Sequence, residues 1–259
     1  MLDARDRPGH ALYFEVSLIS AINSGLSGLG VHSAMVGVAA GNLANLNTTG
    51  YKSSRLALGT LGSASTSGMS VGQGAQVLGV SRDFSSGPLL STNNEFNLAI
   101  QGNGFFKVRQ GDADVYTRDG SFHLDQDRYI VDAQGNRLQP EVQLPPEATS
   151  IRVDTNGRLT ALDSGGNPVA TADIPLYHFA NAQGLESLGQ NDFRPTEASG
   201  PPLEGSAGGT IIQGALEGSN VDPAREMVDL MLGQRGFQAN IKVLQTAEEM
   251  LGSVLDIRA

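Results

Sequence analysis

Residues 42–52 read NLANLNTTGYK and close a heptad-patterned segment that begins near Ile19. Through this segment Ile22, Leu26, Leu29, Ser33, Val36, Ala40, Leu43 and Asn47 recur at alternating spacings of four and three. Such spacing puts them on one face of a helix with a period of about 3.5 residues, which suits a coiled-coil seam. The rhythm returns at the other end of the chain, in Met227, Leu230, Gln234, Phe237, Ile241, Leu244, Glu248, Leu251 and Leu255. Matching terminal seams with a different kind of chain between them predict an α+β protein. Its N- and C-terminal helices pair as a coiled coil, and its central domain is mainly β, of short antiparallel strands.

The N-terminal helix is poor by propensity. Gly25, Gly28, Gly30, Gly37 and Gly41 each cost about 1 kcal/mol relative to alanine in a helix interior, so the free terminus is expected to be mostly disordered. The small residues are nonetheless ordered in sequence. Asn23, Ser27, Gly30, Ala34, Gly37, Gly41 and Ala44 form a second stripe beside the seam, about 100° around the helix. A stripe without side-chain bulk lets another backbone come close, which makes Gly30, Ala34, Gly37 and Gly41 a predicted close-packing surface. Gly50 is the expected left-handed C-cap. The C-terminal helix opens on Asp222 as N-cap and Pro223 in the first turn.

Between the helices, residues 53–93 form a Ser/Gly-rich arm, read as a linker or a weakly packed extension. Residues 94–210 then show short alternating runs (NLAI, FFKV, VYT, FHL, YIV) separated by turn signals, followed by loops. Asp119-Gly120, flanked by YTR and SFHL, predicts a hairpin turn. The helical core segments are placed at 16–52 and 211–259, and residues 1–15 are read as a flexible leader, with Val16 as an alternative natural start.

Composition narrows the function. The chain has 259 residues, a formal net charge of −10, no cysteine and no tryptophan. The acidic balance argues against nucleic acid, which needs a cationic surface. Absent cysteine removes disulfides and thiolate metal sites. No apolar run reaches the roughly 18–20 residues of a membrane span, and no cleavable signal peptide is recognisable.

A search for catalysis and cofactors ends empty. His10, His32, His123 and His178 have no metal-ligand spacing. Gly102-Asn103-Gly104 continues as Phe105-Phe106-Lys107, which fails as a phosphate loop. Asp125-Gln126-Asp127 is followed by Tyr129 and Ile130 where a calcium loop needs a ligand and a glycine, so it is a charged turn. No enzyme activity, metal or cofactor is expected.

The sequence NLANLNTTGYKSSR resembles the N-terminal signature of the bacterial flagellar rod and hook protein family. LEGSNVDPAREMVDLMLGQRGFQANIKVLQTAEEML is similar to its C-terminal motif, and LAIQGNGFFKV with YTRDGSFHLD to its central β-domain. The segments LPPEATSIRVDTNGRL and FANAQGLESLGQNDF are most like the distal rod members. The resemblance implies a structural subunit that polymerises through its terminal helices into a helical tube, transmitting torque and forming part of the export channel. It also implies other rod and hook subunits, the surrounding periplasmic ring proteins and the export apparatus as partners. The location implied is the periplasm-spanning basal body, reached without signal-peptide cleavage. On this reading the assembly interface comprises Ile22, Leu26, Leu29, Val36, Leu43, Asn42, Asn45, Asn47, Thr48, Thr49, Gly50, Met227, Leu230, Phe237, Ile241, Leu244, Leu251 and Leu255. Within it, Leu26, Leu29, Val36 and Leu43 are expected to pack against Leu230, Phe237, Ile241, Leu244 and Leu251. A proximal-rod or hook-type subunit of the same family stays open, as do an adhesin-like module on a coiled-coil stalk and a cell-wall hydrolase.

Overall fold

A computed structural model of the chain describes residues 8–66, 69–205 and 208–258, with side chains described except at 8–17, 63–66, 69–71 and 254–258. Two long helices, α1 (Pro8–Ala44) and α2 (Pro223–Arg258), bracket a strand-rich middle. The chain divides into two compact units. The first gathers α1 as far as Leu43, Ser54–Ser81 and α2; the second gathers Ala44–Ser53 and Arg82–Asp222.

In the first unit the helices run antiparallel, and glycine sets how closely they meet. A Cβ on Gly28 would lie 2.6 Å from the Asn240 amide, and one on Gly25 would lie 3.2 Å from Leu244. In the other direction, a Cβ on Gly233 would lie 2.8 Å from Val36, and one on Gly236 would enter the His32 ring. Leu18, Val31, Ala39 and Ala247 are buried here.

The starting point of α1 differs from expectation. Its backbone is helical from Pro8, so residues 8–15 are no leader. Proline is favoured in a first helical turn, and after Gly9 neither glycine nor proline interrupts the chain before Gly25. Residues 1–7 of that expected leader lie outside the described residues. The C-terminal helix begins at Pro223, as the Asp-Pro pair predicts.

Residues 54–82 of the Ser/Gly-rich arm are a β-ribbon, while 83–93 belong to the second unit, where Leu89–Ser91 pairs with Ala215–Glu217. Ser54–Thr60 pairs with Ala75–Arg82, and Ser63–Thr66 pairs with Met69–Gly72 toward the tip. Its base is anchored on α1, where Asn42 brackets Ser54 by donating Nδ2 to its carbonyl (2.9 Å) and accepting its N–H (2.8 Å). Further along, Ser20 and Ser24 donate to the Gly72 carbonyl. Backbone pairing explains why a chain so poor in core residues is not a linker. Leu58, Leu78 and Val80 stay exposed on it.

The second unit is built on a seven-stranded sheet. Its strand order is 186–189, 192–194, 113–117, 106–110, 137–138, 130–131 and 123–124. A three-stranded sheet (150–153, 158–162, 168–173) stands beside it in the same unit. Alternation decides what is buried: along Arg158–Leu162 only Leu159 and Ala161 are fully inward. Leu98, Ile100, Phe106, Val108, Phe122 and Leu159 belong to one core cluster, and Phe105, Tyr116, Phe179 and Phe193 form a second.

The hairpin expected at Asp119-Gly120 does not form. Strands 113–117 and 123–124 lie far apart in the sheet order, and 123–124 pairs with 130–131 instead. Gly120 serves a different need. Its N–H-bearing neighbour Leu98 passes so close that a Cβ on Gly120 would collide with the Leu98 carbonyl, while Leu98 donates its N–H to the Gly120 carbonyl at 3.0 Å. Asp119-Gly120 is therefore a corner between layers, where close backbone approach demands glycine.

Short aspartate-anchored turns join several strands. Asp132, Asp154 and Asp163 each accept two backbone N–H groups through Oδ1, from residues two and four positions later. Asp125, the charged turn of the sequence, accepts the Tyr129 N–H at 2.7 Å. Here Arg128 (φ +65°) occupies the left-handed position that Gly135, Gly157 and Gly166 hold in the others. Its guanidinium offsets that strain by donating to the carbonyls of Leu144 (3.0 Å) and Ala148 (2.8 Å). Arg128→Ala is expected to lower unfolding stability by about 1–3 kcal/mol in urea titration, since it keeps the strained backbone and loses both bonds.

Candidate functional site: helix faces and a buried charge cluster

The residues expected to form the assembly interface fall into two groups. Along the helices, α1 and α2 come closest at glycine positions beside the seam. The approach is made by Gly25, Gly28, His32 and Val36 against Leu244, Asn240, Gly236 and Gly233. Of the intramolecular contacts expected from the seam, Val36 and Leu244 take part, each resting on a glycine. Leu26 is 62% exposed, and Met227, Phe237, Ile241 and Leu251 are exposed as well. Ile22, Leu29, Leu43 and Leu230 are half-buried. The Leu255 side chain lies outside the described residues. The reason is geometric: glycine seats allow a closer backbone approach than facing leucines do, so the helices turn their small residues inward. The stripe Gly30, Ala34, Gly37 and Gly41 is separate from these seats, and nothing lies within 4 Å of a Cβ on Gly30, Gly37 or Gly41. The unpartnered ring nitrogen of His32 (Nδ1) is buried at the helix contact.

The signature residues Asn45–Gly50 take a different role, folding into the second unit. Here α1 ends at Ala44, six residues before Gly50, so Gly50 is no helix cap. It is left-handed (φ +67°), and a Cβ there would lie 2.7 Å from the Asp119 nitrogen. Thr49 donates its hydroxyl to Asp119 Oδ1 (3.1 Å), and its carbonyl accepts from the Asn191 amide (2.6 Å). Thr48 donates to Asn45 Oδ1, and Asn47 is exposed.

Directly after this turn lies a cluster that spacing could not reveal. Lys52 and Glu217 are completely buried and Arg118 is 1% exposed. Lys52 Nζ donates to Glu217 Oε1 (2.7 Å) and to the Ser85 carbonyl (2.8 Å). Arg118 donates to Glu217 Oε2 (3.2 Å) and to the Gly102 carbonyl (2.9 Å), and its guanidinium lies 5.3 Å from the Phe105 ring centre. The Gly87 N–H supplies a further donor to Glu217 Oε1 at 2.9 Å. Two cations thus share one carboxylate. Burial pushes the Lys52 ammonium and the Arg118 guanidinium below their ordinary pKa values, and Glu217 opposes the shift in both. The sequence signal was present, since Lys52, Arg118 and Glu217 sit in the three quoted motifs. Their convergence was not legible.

Around the cluster, the segments leading into and out of the unit are tied together. Gly50 donates its N–H to the Glu217 carbonyl (2.8 Å), Ser53 donates to Asn220 Oδ1 (2.7 Å), and the Asn220 amide donates to the carbonyls of Asp83 and Ser85.

A third feature is the buried Asp192. Burial, then the Asp132 charge, and more weakly Asp119 push its carboxyl up to about 6, against a lowering hydrogen bond from Thr117. A carboxyl raised in the folded state is bound to a proton there at pH values where the unfolded chain has lost it. Stability from this group is therefore greatest below about pH 4, is lost as pH rises toward 6, and stays lost at pH 7. Asp192→Asn should gain about 1–3 kcal/mol at pH 7 and nothing at pH 3.5, compared by urea unfolding at the two pH values.

Among the described residues, no group of three or more His, Asp or Glu side chains is placed to hold a metal, and no helix is long and apolar enough to cross a membrane. Sequence comparison places the class. Residues 99–161 match the flagellar hook protein FlgE/F/G D1 domain, and residues 212–257 match the flagellar basal body rod FlgEFG protein C-terminal family. The chain is 35% identical over 245 residues to the flagellar basal-body rod protein FlgG of Buchnera aphidicola subsp. Acyrthosiphon pisum, covering 87% of this chain and 94% of that protein. It is 34% identical over 257 residues to FlgG of Borreliella burgdorferi, covering 91% and 97%. Against the flagellar hook protein FlgE of Helicobacter pylori it is 40% identical over 112 residues, only 16% of that longer protein. The chain belongs to the flagellar basal-body rod protein family.

Proposed function

We propose that this protein is a structural subunit of the distal rod, polymerising through α1 and α2 into a helical tube that transmits torque and forms part of the export channel. The observation that carries this reading is the outward apolar face of α2. Met227, Met231, Phe237, Ile241 and Leu251 all remain exposed, and a helix with so much unsatisfied apolar surface calls for further packing. Copies of the same chain supply it in a helical homopolymer. Other rod and hook subunits continue the axis, periplasmic ring proteins surround it, and the export apparatus delivers the chain without cleaving a signal peptide. Pairing of the two helices as a coiled coil belongs to the assembled tube, where neighbouring helices complete the seams. The near full-length match to rod proteins, against a short match to a hook protein, favours rod over hook.

Quantitative mass spectrometry of purified hook–basal bodies from the source organism tests the proposal. The chain is expected there at a stoichiometry comparable to known rod subunits. Its absence from basal bodies, with abundance in the soluble fraction, would overturn the reading.

A further inference from the structure

We propose that the Lys52–Glu217–Arg118 cluster is a latch that closes last when the β-rich unit folds, so that the unit stays open until residues 215–221 dock. The inference deepens the rod-subunit reading only in its purpose, a chain kept extended for export; the latch itself is a property of the protein in solution.

Three observations place closure late. The first is distance along the chain: Lys52 and Glu217 are 165 residues apart, so their contact carries a large loop-closure cost until other contacts have shortened the path. The second is desolvation. Lys52 and Arg118 have no reason to leave water before a carboxylate is there to meet them, because an unpaired buried cation is strongly unfavourable. The third is independence of the core. Both apolar clusters draw on residues between Phe84 and Ile211, with none from 44–53 or 215–221. Those two segments bind each other, through Gly50 to Glu217, Ser53 to Asn220 and Asn220 to Tyr51, and beyond each other they are held by backbone pairing of 215–217 with 89–91 and by polar ties rather than by either apolar cluster. Whichever end of an exported chain leads, one half of the latch is missing until the other has passed.

The test is stopped-flow urea refolding and unfolding of the full-length chain and of Glu217→Gln. The readout is tyrosine fluorescence, since Tyr51, Tyr116, Tyr129 and Tyr177 all lie in this unit. A latch closing after the rate-limiting step leaves the refolding rate within about twofold, while unfolding accelerates about a hundredfold. A refolding rate slowed in proportion to the lost stability would overturn the proposal. Should Glu217→Gln fail to fold, Asn220→Ala removes an uncharged tie of the same segment, and the same two outcomes decide. Basal-body composition plays no part in this readout, so a failure of the latch and a failure of the rod reading are told apart.

Discussion

Glu217→Ala is expected to be among the most destabilising single substitutions in the protein, at about 3–5 kcal/mol. It leaves Lys52 and Arg118 buried without a counter-charge, and breaking a buried pair by removing one side costs that much because the remaining charge is uncompensated. Here two cations are abandoned, and the Gly87 N–H loses its acceptor as well. The converse experiment isolates the cause. Replacing the whole cluster with apolar residues of similar volume, as in Lys52→Met, Arg118→Met and Glu217→Leu together, removes the desolvation cost along with the pairing. Such swaps are often neutral or stabilising. The triple variant is therefore expected to recover most of the stability that Glu217→Ala loses, in equilibrium urea unfolding followed by tyrosine fluorescence. Equal instability of both variants would show that packing, not charge, governs the site.

Phe237→Asp and Gly236→Val, adjacent on α2, are expected to fail in opposite ways. Phe237 is exposed, so a charge there should leave the monomer's unfolding curve within about 0.5 kcal/mol. If its ring packs against a neighbouring copy, motility and rod assembly are nonetheless lost. Gly236→Val puts a branched side chain into the His32 ring, an overpacking that typically costs about 1–3 kcal/mol and separates the helices within the protomer. Monomer stability and basal-body yield, measured together, separate the two faces. Full motility in Phe237→Asp would remove that residue from any interface between copies. Leu244, which rests on Gly25, is a less decisive site than spacing suggests, because Leu244→Asp disturbs both contacts at once.

Much of the architecture was written in local pattern. Helix period, the Asp222-Pro223 start and the short alternating strands depend on neighbours along the chain, so they were legible before any folding was considered. The signature motifs likewise placed the chain in its family. Tertiary structure alone decided which helix face turns inward. Period identifies a stripe of leucines, but closest approach goes to positions that lack side chains, here Gly25 and Gly28 under Leu244 and Asn240, and Gly233 and Gly236 under Val36 and His32. It also decided that Asp119-Gly120 is a corner, because what constrains Gly120 is the Leu98 carbonyl from a distant strand. The charge cluster shows the same limit most plainly. Lys52, Arg118 and Glu217 look like ordinary surface charges in three separate motifs, and only closure of the chain across 165 residues brings them out of water onto one carboxylate.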